Sequence, residues 1–287
     1  MNTKDLLKKV RKIEIKSKGL SSQIFSGEYH SAFKGRGMAF SEVREYMPGD
    51  EIRTIDWNVT ARLNHPYVKI FEEEREMTVI LLIDISASES FGTGEQLKRD
   101  RLAEIAAVLA YSAIQNNDKA GAILFTDKIE KFIPPKKGKH HILRIIRELI
   151  EFKPTSSGTN ISLALDYLNR SIKKRSIAFL LSDFLNENFE KNLKIANRKH
   201  DLIALRIYDS KENELPDLGL VPFKDPESKQ VIWVNTANKK VRYEIAAEGR
   251  KREIELRNSF RKSGVDYVSV STEESYVKPL LNLFKSR

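Results

Sequence analysis

At 287 residues the chain is longer than a usual single domain and shorter than two large ones, so one α/β domain with a smaller appendage is expected. Hydrophobic residues make up 40% and charged residues 31%, arranged in apolar runs and amphipathic segments, which excludes a wholly disordered or fibrous chain. The absence of cysteine excludes disulfides and thiolate metal sites, while a net charge of +10 permits acidic proteins, anionic lipid or nucleic acid as partners without choosing among them.

Residues 1 to about 20 read as a charged helix, in which Lys4, Lys8, Lys9, Arg11 and Lys12 interrupt any apolar stretch, so no secretory signal is expected. No uncharged apolar run approaches the roughly 18 residues of a membrane-spanning helix. A cytoplasmic protein, peripheral to a membrane only through partners, is the expectation. Through Glu76 the chain is punctuated by Gly35, Gly37, Pro48 and Gly49, and Pro48-Gly49-Asp50 suits a tight turn. The predicted organisation is a helix and small turn-rich module over 1–76 and a main domain over 77–287. Arg44, Asp50, Arg53, Asp56 and Arg62 are expected to clamp the module to the main domain, with a docking surface for a partner as the alternative, and Trp57 to lie in a core.

From Met77 the texture changes. Thr78 to Ile83 is a continuous apolar run of strand length, expected to be buried on both faces. Leu102, Ile105, Ala106, Leu109 and Ala113 then recur at helical spacing, Ala120 to Phe125 forms a second buried strand, and Ile129 to Ile133 a short further one. Helical stripes follow at Ile142, Ile145, Ile146 and Leu149 and at Leu163, Ala164, Tyr167 and Leu168. Ile177 to Leu181 and Leu202 to Ile207 read as core strands around a helix near Leu193 to Asn197, and Val265 to Val270 as a late strand before a terminal helix at Leu280 to Phe284. Leu220 to Phe223 and Val231 to Val234, around Asp225-Pro226, look like a hairpin inserted at about 215–236. Lys239 to Lys262 mixes basic residues with Glu244, Glu248, Glu253 and Glu255 as a solvated helix does, and His140-His141 is expected in a solvated loop. Strands alternating with helices predict an α/β fold: a doubly wound, mostly parallel sheet with helices on both faces.

In such a sheet, ligands bind where strands end at their carboxyl edges. The loop leaving the first core strand reads Asp84-Ile85-Ser86-Ala87-Ser88, placing oxygen-bearing side chains at alternate positions that an extended loop points to one side. Thr159, after Gly158, and Asp183, beside Ser182 at the end of the third core strand, lie on later loops of the same edge. Oxygen ligands without histidine or cysteine favour a hard cation: magnesium, with manganese or calcium as alternatives. His30, His65, His140, His141 and His200 share no metal-ligand spacing with this set. Without an ion, Asp183 would cap the following helix and Thr159 would start the next one, with Asn160 as its cap.

The Asp-x-Ser-x-Ser sequence after a buried strand, the later Gly-Thr-Asn and the still later strand-Ser-Asp resemble the metal-ion-dependent adhesion site of von Willebrand factor A domains. The resemblance implies that Asp84, Ser86, Ser88 and Thr159 hold the ion directly or through water, and that Asp183 acts directly or from behind the other ligands. Gly35-Arg36-Gly37, the run from Arg44 to Asp50, Arg53, Ile55-Asp56-Trp57, Ala61-Arg62 and Val68-Lys69 resemble the bacterial domain of unknown function fifty-eight family, as do Leu215 to Val221 and Asp225-Pro226. Members pair this amino-terminal segment with a von Willebrand factor A-like domain, and many are associated with MoxR-type ATPases. Many also carry amino-terminal membrane segments, which are not expected here.

Two carboxylates roughly neutralise a divalent ion and leave it able to accept an acidic oxygen. The expected function is a metal-ion-dependent protein-binding adaptor, not an enzyme, whose partner offers an acidic residue to the metal; the resemblance implies a MoxR-type ATPase assembly or its client. The alternative is a magnesium-dependent phosphohydrolase with Asp84 as nucleophile. Haloacid-dehalogenase-like phosphatases carry a second acid two residues on, where Ser86 stands, and no phosphate-cradling Gly-x-x-x-x-Gly-Lys loop is present. A basic nucleic-acid-binding protein is a third alternative, argued against by the absence of a recognition motif or a stacking pattern of aromatics.

Overall fold

The structure, a computed structural model, describes residues 11–14, 16–21, 39–72, 76–90, 92, 97–186, 188–212, 214–224 and 229–287. Lys4, Lys8, Lys9, His30, Gly35, Gly37, Asp225 and Pro226 lie outside the described residues. The chain divides into two units, Phe33–Met77 and the combination of Met1–Ala32 with Thr78–Arg287.

In the smaller unit, strand β1 (Ala39–Glu45) pairs antiparallel with β2 (Tyr67–Glu72), and the short helix α1 (Trp57–Leu63) lies between them in sequence. Asp50 N–H donates to Met47 O at 3.0 Å and Gly49 takes φ +110°, so Pro48-Gly49 makes the expected turn. The Arg44 guanidinium holds the Asp50 carboxylate through bonds of 2.7 and 2.8 Å. Asp56 caps α1 by accepting from Asn58 N–H at 3.0 Å and Val59 N–H at 3.3 Å. The charged residues expected to clamp the module thus serve two local devices inside it, while Arg53 and Arg62 are exposed. Trp57, expected in a core, is 67% exposed because it opens a helix too short to bury any of its residues.

The start of the chain groups differently from the expected 1–76 module. Residues 11–14 and 16–21 are helical, Ile13 and Ser17 are buried, and Glu14 and Lys16 pair with Lys139 and Glu104 of the larger unit.

The larger unit runs β3 (Thr78–Asp84), α2 (Lys98–Gln115), β4 (Lys119–Phe125), β5 (Ile129–Lys136), α3 (Lys139–Glu151), α4 (Ile161–Ser171), β6 (Ile177–Ser182), α5 (Glu190–Lys199) and β7 (Asp201–Tyr208). It continues through the hairpin β8 (Leu220–Lys224) and β9 (Val231–Asn235), then α6 (Lys239–Lys262), β10 (Asp266–Ser271) and α7 (Val277–Lys285). Six strands form one sheet in the order β10-β7-β6-β3-β4-β5, parallel except for the antiparallel edge pair β4 and β5. The apolar runs form these strands because both faces are covered. On one face, Ile80, Leu82, Phe125 and Leu180 meet Leu165 and Leu168 of α4, Leu193 of α5 and Phe260 of α6. The other face packs on α2, and Phe179 meets Phe284 of α7 edge-on at 6.4 Å between ring centroids. Full burial of each such side chain is worth about 1.5–3 kcal/mol, which fixes the sheet as a rigid platform for its loops.

His140-His141 stands in α3 and not in a loop, with His141 buried, because the apolar stripe beginning at Ile142 extends the helix back to Lys139. The expected hairpin forms but leaves Leu220, Val231, Ile232 and Trp233 exposed. Among the described residues no helix is long and apolar enough to cross a membrane.

Two features of the sheet make stability predictions. A Cβ on Gly121 would lie 2.9 Å from both Ile133 O and Pro135 N, backbone atoms at the irregularity where β5 passes β4. Gly121→Ala should therefore lose about 2 kcal/mol in urea unfolding; unchanged stability would mean that β5 yields freely. His200 is fully buried with Nδ1 2.9 Å from Ser176 Oγ, and burial, aided by Lys199 and Arg175, pushes its pKa down to about 4. The folded state thus resists protonation that the unfolded state accepts near 6.5. Stability should fall by about 2–3 kcal/mol as pH drops from about 6.5 to about 4, and the comparison of wild type with His200→Gln should isolate that loss; parallel pH profiles would refute it.

Candidate metal centre

The chain passes from β3 outward to β4 and β5 and then returns across β3 to β6, so the strand order reverses between β3 and β6. Loops leaving their carboxyl ends diverge at that point and open a crevice. The register pairs Ile83 with Leu181, which brings Asp84 beside Ser182, and Ser182 Oγ donates to Asp84 Oδ2 at 2.7 Å. Ser86 N–H donates to Asp84 Oδ1 at 2.9 Å, and the hydroxyls of Ser86 and Ser88 come within 3.1 Å of each other. A 3-10 turn over Ala87–Ser90 then directs Glu89 toward the end of β6, where Glu89 Oε1 accepts from Asp183 N–H at 3.1 Å.

A third loop closes against these two. Ala87 N–H donates to Ser157 O at 3.0 Å, and Asn186 Nδ2 donates to Thr159 O at 2.8 Å. Glu130 braces this loop by accepting from Thr155 N–H at 2.9 Å and Ser156 N–H at 3.1 Å. Burial raises the Glu130 pKa, but donors on Thr155, Thr126 and Ser156 outweigh it and hold the carboxyl below its ordinary range. Thr159 is half-buried in the loop, and Asn160 caps α4 through Leu163 N–H at 2.9 Å, as its sequence position implied. Asp183 caps no helix, since Phe189 occupies the N-cap of α5.

Asp84, Ser86, Ser88 and Asp183 are all buried here, and ligand oxygens of Asp84, Glu89 and Asp183 lie within 4.8 Å of one another. Burial, reinforced by the Asp183 charge and offset by Ser182 and Ser86, pushes the Asp84 carboxyl up to about 7. Glu89 is raised well above its ordinary range by burial and by Asp183, against the pull of Lys98, and its Oε2 is buried with no hydrogen-bond partner among the described residues. Each of the three carboxyl groups offers one oxygen to this gathering, so a divalent ion would be held among them and would supply the positive charge they lack. An all-oxygen donor set, an orphaned carboxylate oxygen and repelling neighbours fit a hard divalent cation. Asp84, Ser86 and Ser88 would hold it from one loop and Asp183 from a second, with Thr159 on the third.

Four further residues belong to the site. Ser182 stands beside Asp183 in sequence, and Glu89 directly follows the Asp-x-Ser-x-Ser run. Lys98 is wholly buried and donates to Asp183 Oδ2 at 2.8 Å and to Glu212 Oε1 at 2.6 Å. A signal existed for Lys98: the stripe Leu102, Ile105, Leu109 extended back one turn lands on it, putting a cation on the buried face of α2. Glu212 gave none, since it arrives on a short turn after β7.

Glu89→Gln would remove one of these crowded charges while keeping an acceptor for Asp183 N–H. Without added metal, the variant should be more stable by about 1 kcal/mol, and it should bind manganese at least about tenfold more weakly. Lower stability together with unchanged manganese affinity would place Glu89 outside the centre.

The sequence matches the family described as "Protein of unknown function DUF58" over residues 42–255, from β1 into α6. The chain is similar to the uncharacterized protein Rv1480 of Mycobacterium tuberculosis, 27% identical over 281 residues that cover 97% of this chain and 88% of that protein. Among solved structures, it resembles an aerotolerance-related membrane protein from Bacteroides fragilis carrying multiple mutations to serines. That likeness has a TM-score of 0.50 at 18% identity and covers 74% of this chain and 100% of the other, which speaks to the fold alone. The strand order, the single antiparallel edge and the helices on both faces make the larger unit von Willebrand factor A-like. With about three quarters of its length inside the match, the chain belongs to the DUF58 family of proteins of unknown function.

Proposed function

We propose that this protein is a metal-ion-dependent protein-binding adaptor and not an enzyme. The observation that carries the reading is the buried gathering of Asp84, Glu89 and Asp183 beside the paired Ser86 and Ser88 hydroxyls, with one Glu89 oxygen lacking a partner among the described residues. A divalent ion held there, magnesium or alternatively manganese or calcium, supplies a position for an acidic oxygen from a partner. The chain's own groups are suited to holding rather than reacting. Ser86 and Ser88 hydrogen-bond each other, Asp84 is engaged by Ser182 and Ser86, and His141 and His200 are buried in other elements. A haloacid-dehalogenase-like phosphohydrolase with Asp84 as nucleophile would need a proton-handling acid at the position of Ser86.

Exposed apolar side chains support a protein partner. Leu220, Val231, Ile232 and Trp233 crowd the hairpin, and Met47, Ile52 and Trp57 stand exposed on the smaller unit. The family resemblance points to a MoxR-type ATPase assembly, or its client, as the partner, while the cysteine-free composition suits a cytoplasmic setting, with any membrane association made through partners.

Calorimetry with magnesium and manganese should detect uptake by wild type and a loss of at least about 100-fold in affinity for Asp84→Ala. Capture of a purified MoxR-type ATPase should follow the same order and vanish with chelator; equal capture under all conditions would overturn the adaptor reading. Magnesium-dependent turnover of a phosphate-ester panel that disappears in Asp84→Asn would establish the hydrolase instead.

A further inference from the structure

Lys98 is an unusual cation. It is the first residue of α2, where the aligned peptide dipoles of an 18-residue helix disfavour positive charge. It is nonetheless wholly buried, among the largest side chains with no exposed surface. Its ammonium touches Asp183 Oδ2 at 2.8 Å and Glu212 Oε1 at 2.6 Å, so one of the carboxylates assigned to the metal centre is already held by a positive charge of the protein itself. Glu212 belongs to no other part of the centre, and its side chain is 21% exposed. Glu89, which faces Asp183 through the backbone N–H, makes no such ion pair among the described residues, and one of its oxygens has no hydrogen-bond partner among them.

Resting on the metal-binding reading above, we propose that Lys98 is a resident competitor of the divalent ion: it holds Asp183 when no ion is bound, and the ion must draw Asp183 away from it. Glu212 is the counter-charge that keeps Lys98 in place while that exchange occurs. Burial works against the ammonium, but the contacts with Asp183 and Glu212 and the nearby Glu89 outweigh it in the metal-free crevice. The arrangement has two consequences. The fold tolerates its buried acids without metal, because Asp183 and Glu212 are not left as uncompensated charges. The ion is held more weakly than its oxygen ligands alone would hold it, because a like charge stays one carboxylate away.

The test is calorimetric titration of the full chain with manganese chloride, accompanied by thermal melting with and without the ion. Lys98→Met should bind manganese at least about tenfold more tightly than wild type. It should also melt lower than wild type without metal and regain more on adding it. Lys98→Arg, which keeps the charge, should stay close to wild type. Glu212→Gln, which leaves Lys98 to Asp183 alone, should bind more weakly, and this variant carries the test if Lys98→Met does not fold. Manganese binding by wild type with equal or weaker binding by folded Lys98→Met overturns the competition and leaves the metal centre standing. Equal or tighter binding by Glu212→Gln overturns it as well. No uptake by wild type or by Lys98→Met overturns both readings.

Discussion

Asp84, Glu89 and Asp183 are buried together in one crevice, and the cost of ionising them side by side is the constraint around which the loops are arranged. Like charges in a low-dielectric space cost far more than on a surface. The protein offsets part of that cost with fixed donors: Ser182 and Ser86 to Asp84, the Asp183 N–H to Glu89, and the Lys98 ammonium to Asp183. What is left over falls on Glu89 Oε2, which has no hydrogen-bond partner among the described residues. A residual imbalance of this kind is stable only if the surrounding backbone cannot relax it.

The sheet supplies that rigidity. Asp84 ends a strand whose residues from Val79 onward are all buried, so it cannot swing outward without dragging apolar side chains into water. Asp183 is fixed from behind as well, because Arg206 Nε donates to its carbonyl at 3.3 Å while the same guanidinium pairs with Glu253 of α6. Tyr267 of β10 donates to that glutamate at 2.9 Å. The loop after β6 is thereby tied to the solvated helix α6, whose charged surface hides this one structural role. Glu130 does the corresponding work for the loop carrying Thr159.

The fold was legible because its evidence is periodic. Buried parallel strands are written as unbroken apolar runs such as Ile177 to Leu181, and helices as stripes such as Ile142, Ile145 and Leu149, so each element announces its own type. The gathering of oxygen-bearing side chains on the loop after β3 was legible for a related reason, since Asp84, Ser86 and Ser88 lie within five residues of one another and need no long-range information. Glu89, Lys98 and Glu212 escaped because their roles depend on where a turn or a distant loop delivers them. Trp57 and His141 were misjudged by residue type: an aromatic does not make a core in a seven-residue helix, and a charged neighbourhood in sequence does not keep a histidine out of one.

The overall charge and the local charge of the protein have opposite signs, and the difference bears on how a partner is admitted. The chain carries +10, with much of the basic excess along α6 at Lys239, Lys240, Arg242, Arg250, Lys251 and Arg252, so an acidic protein is drawn toward it from a distance set by the ionic strength. The crevice itself is lined by carboxylates, which at short range repel the same acidic group. Attraction at long range and repulsion at contact can be reconciled by a cation seated among Asp84, Glu89 and Asp183, which reverses the sign where the partner must dock. On the adaptor reading the metal would be the condition for engagement, and the weak hold proposed for an ion beside Lys98 would keep that condition reversible.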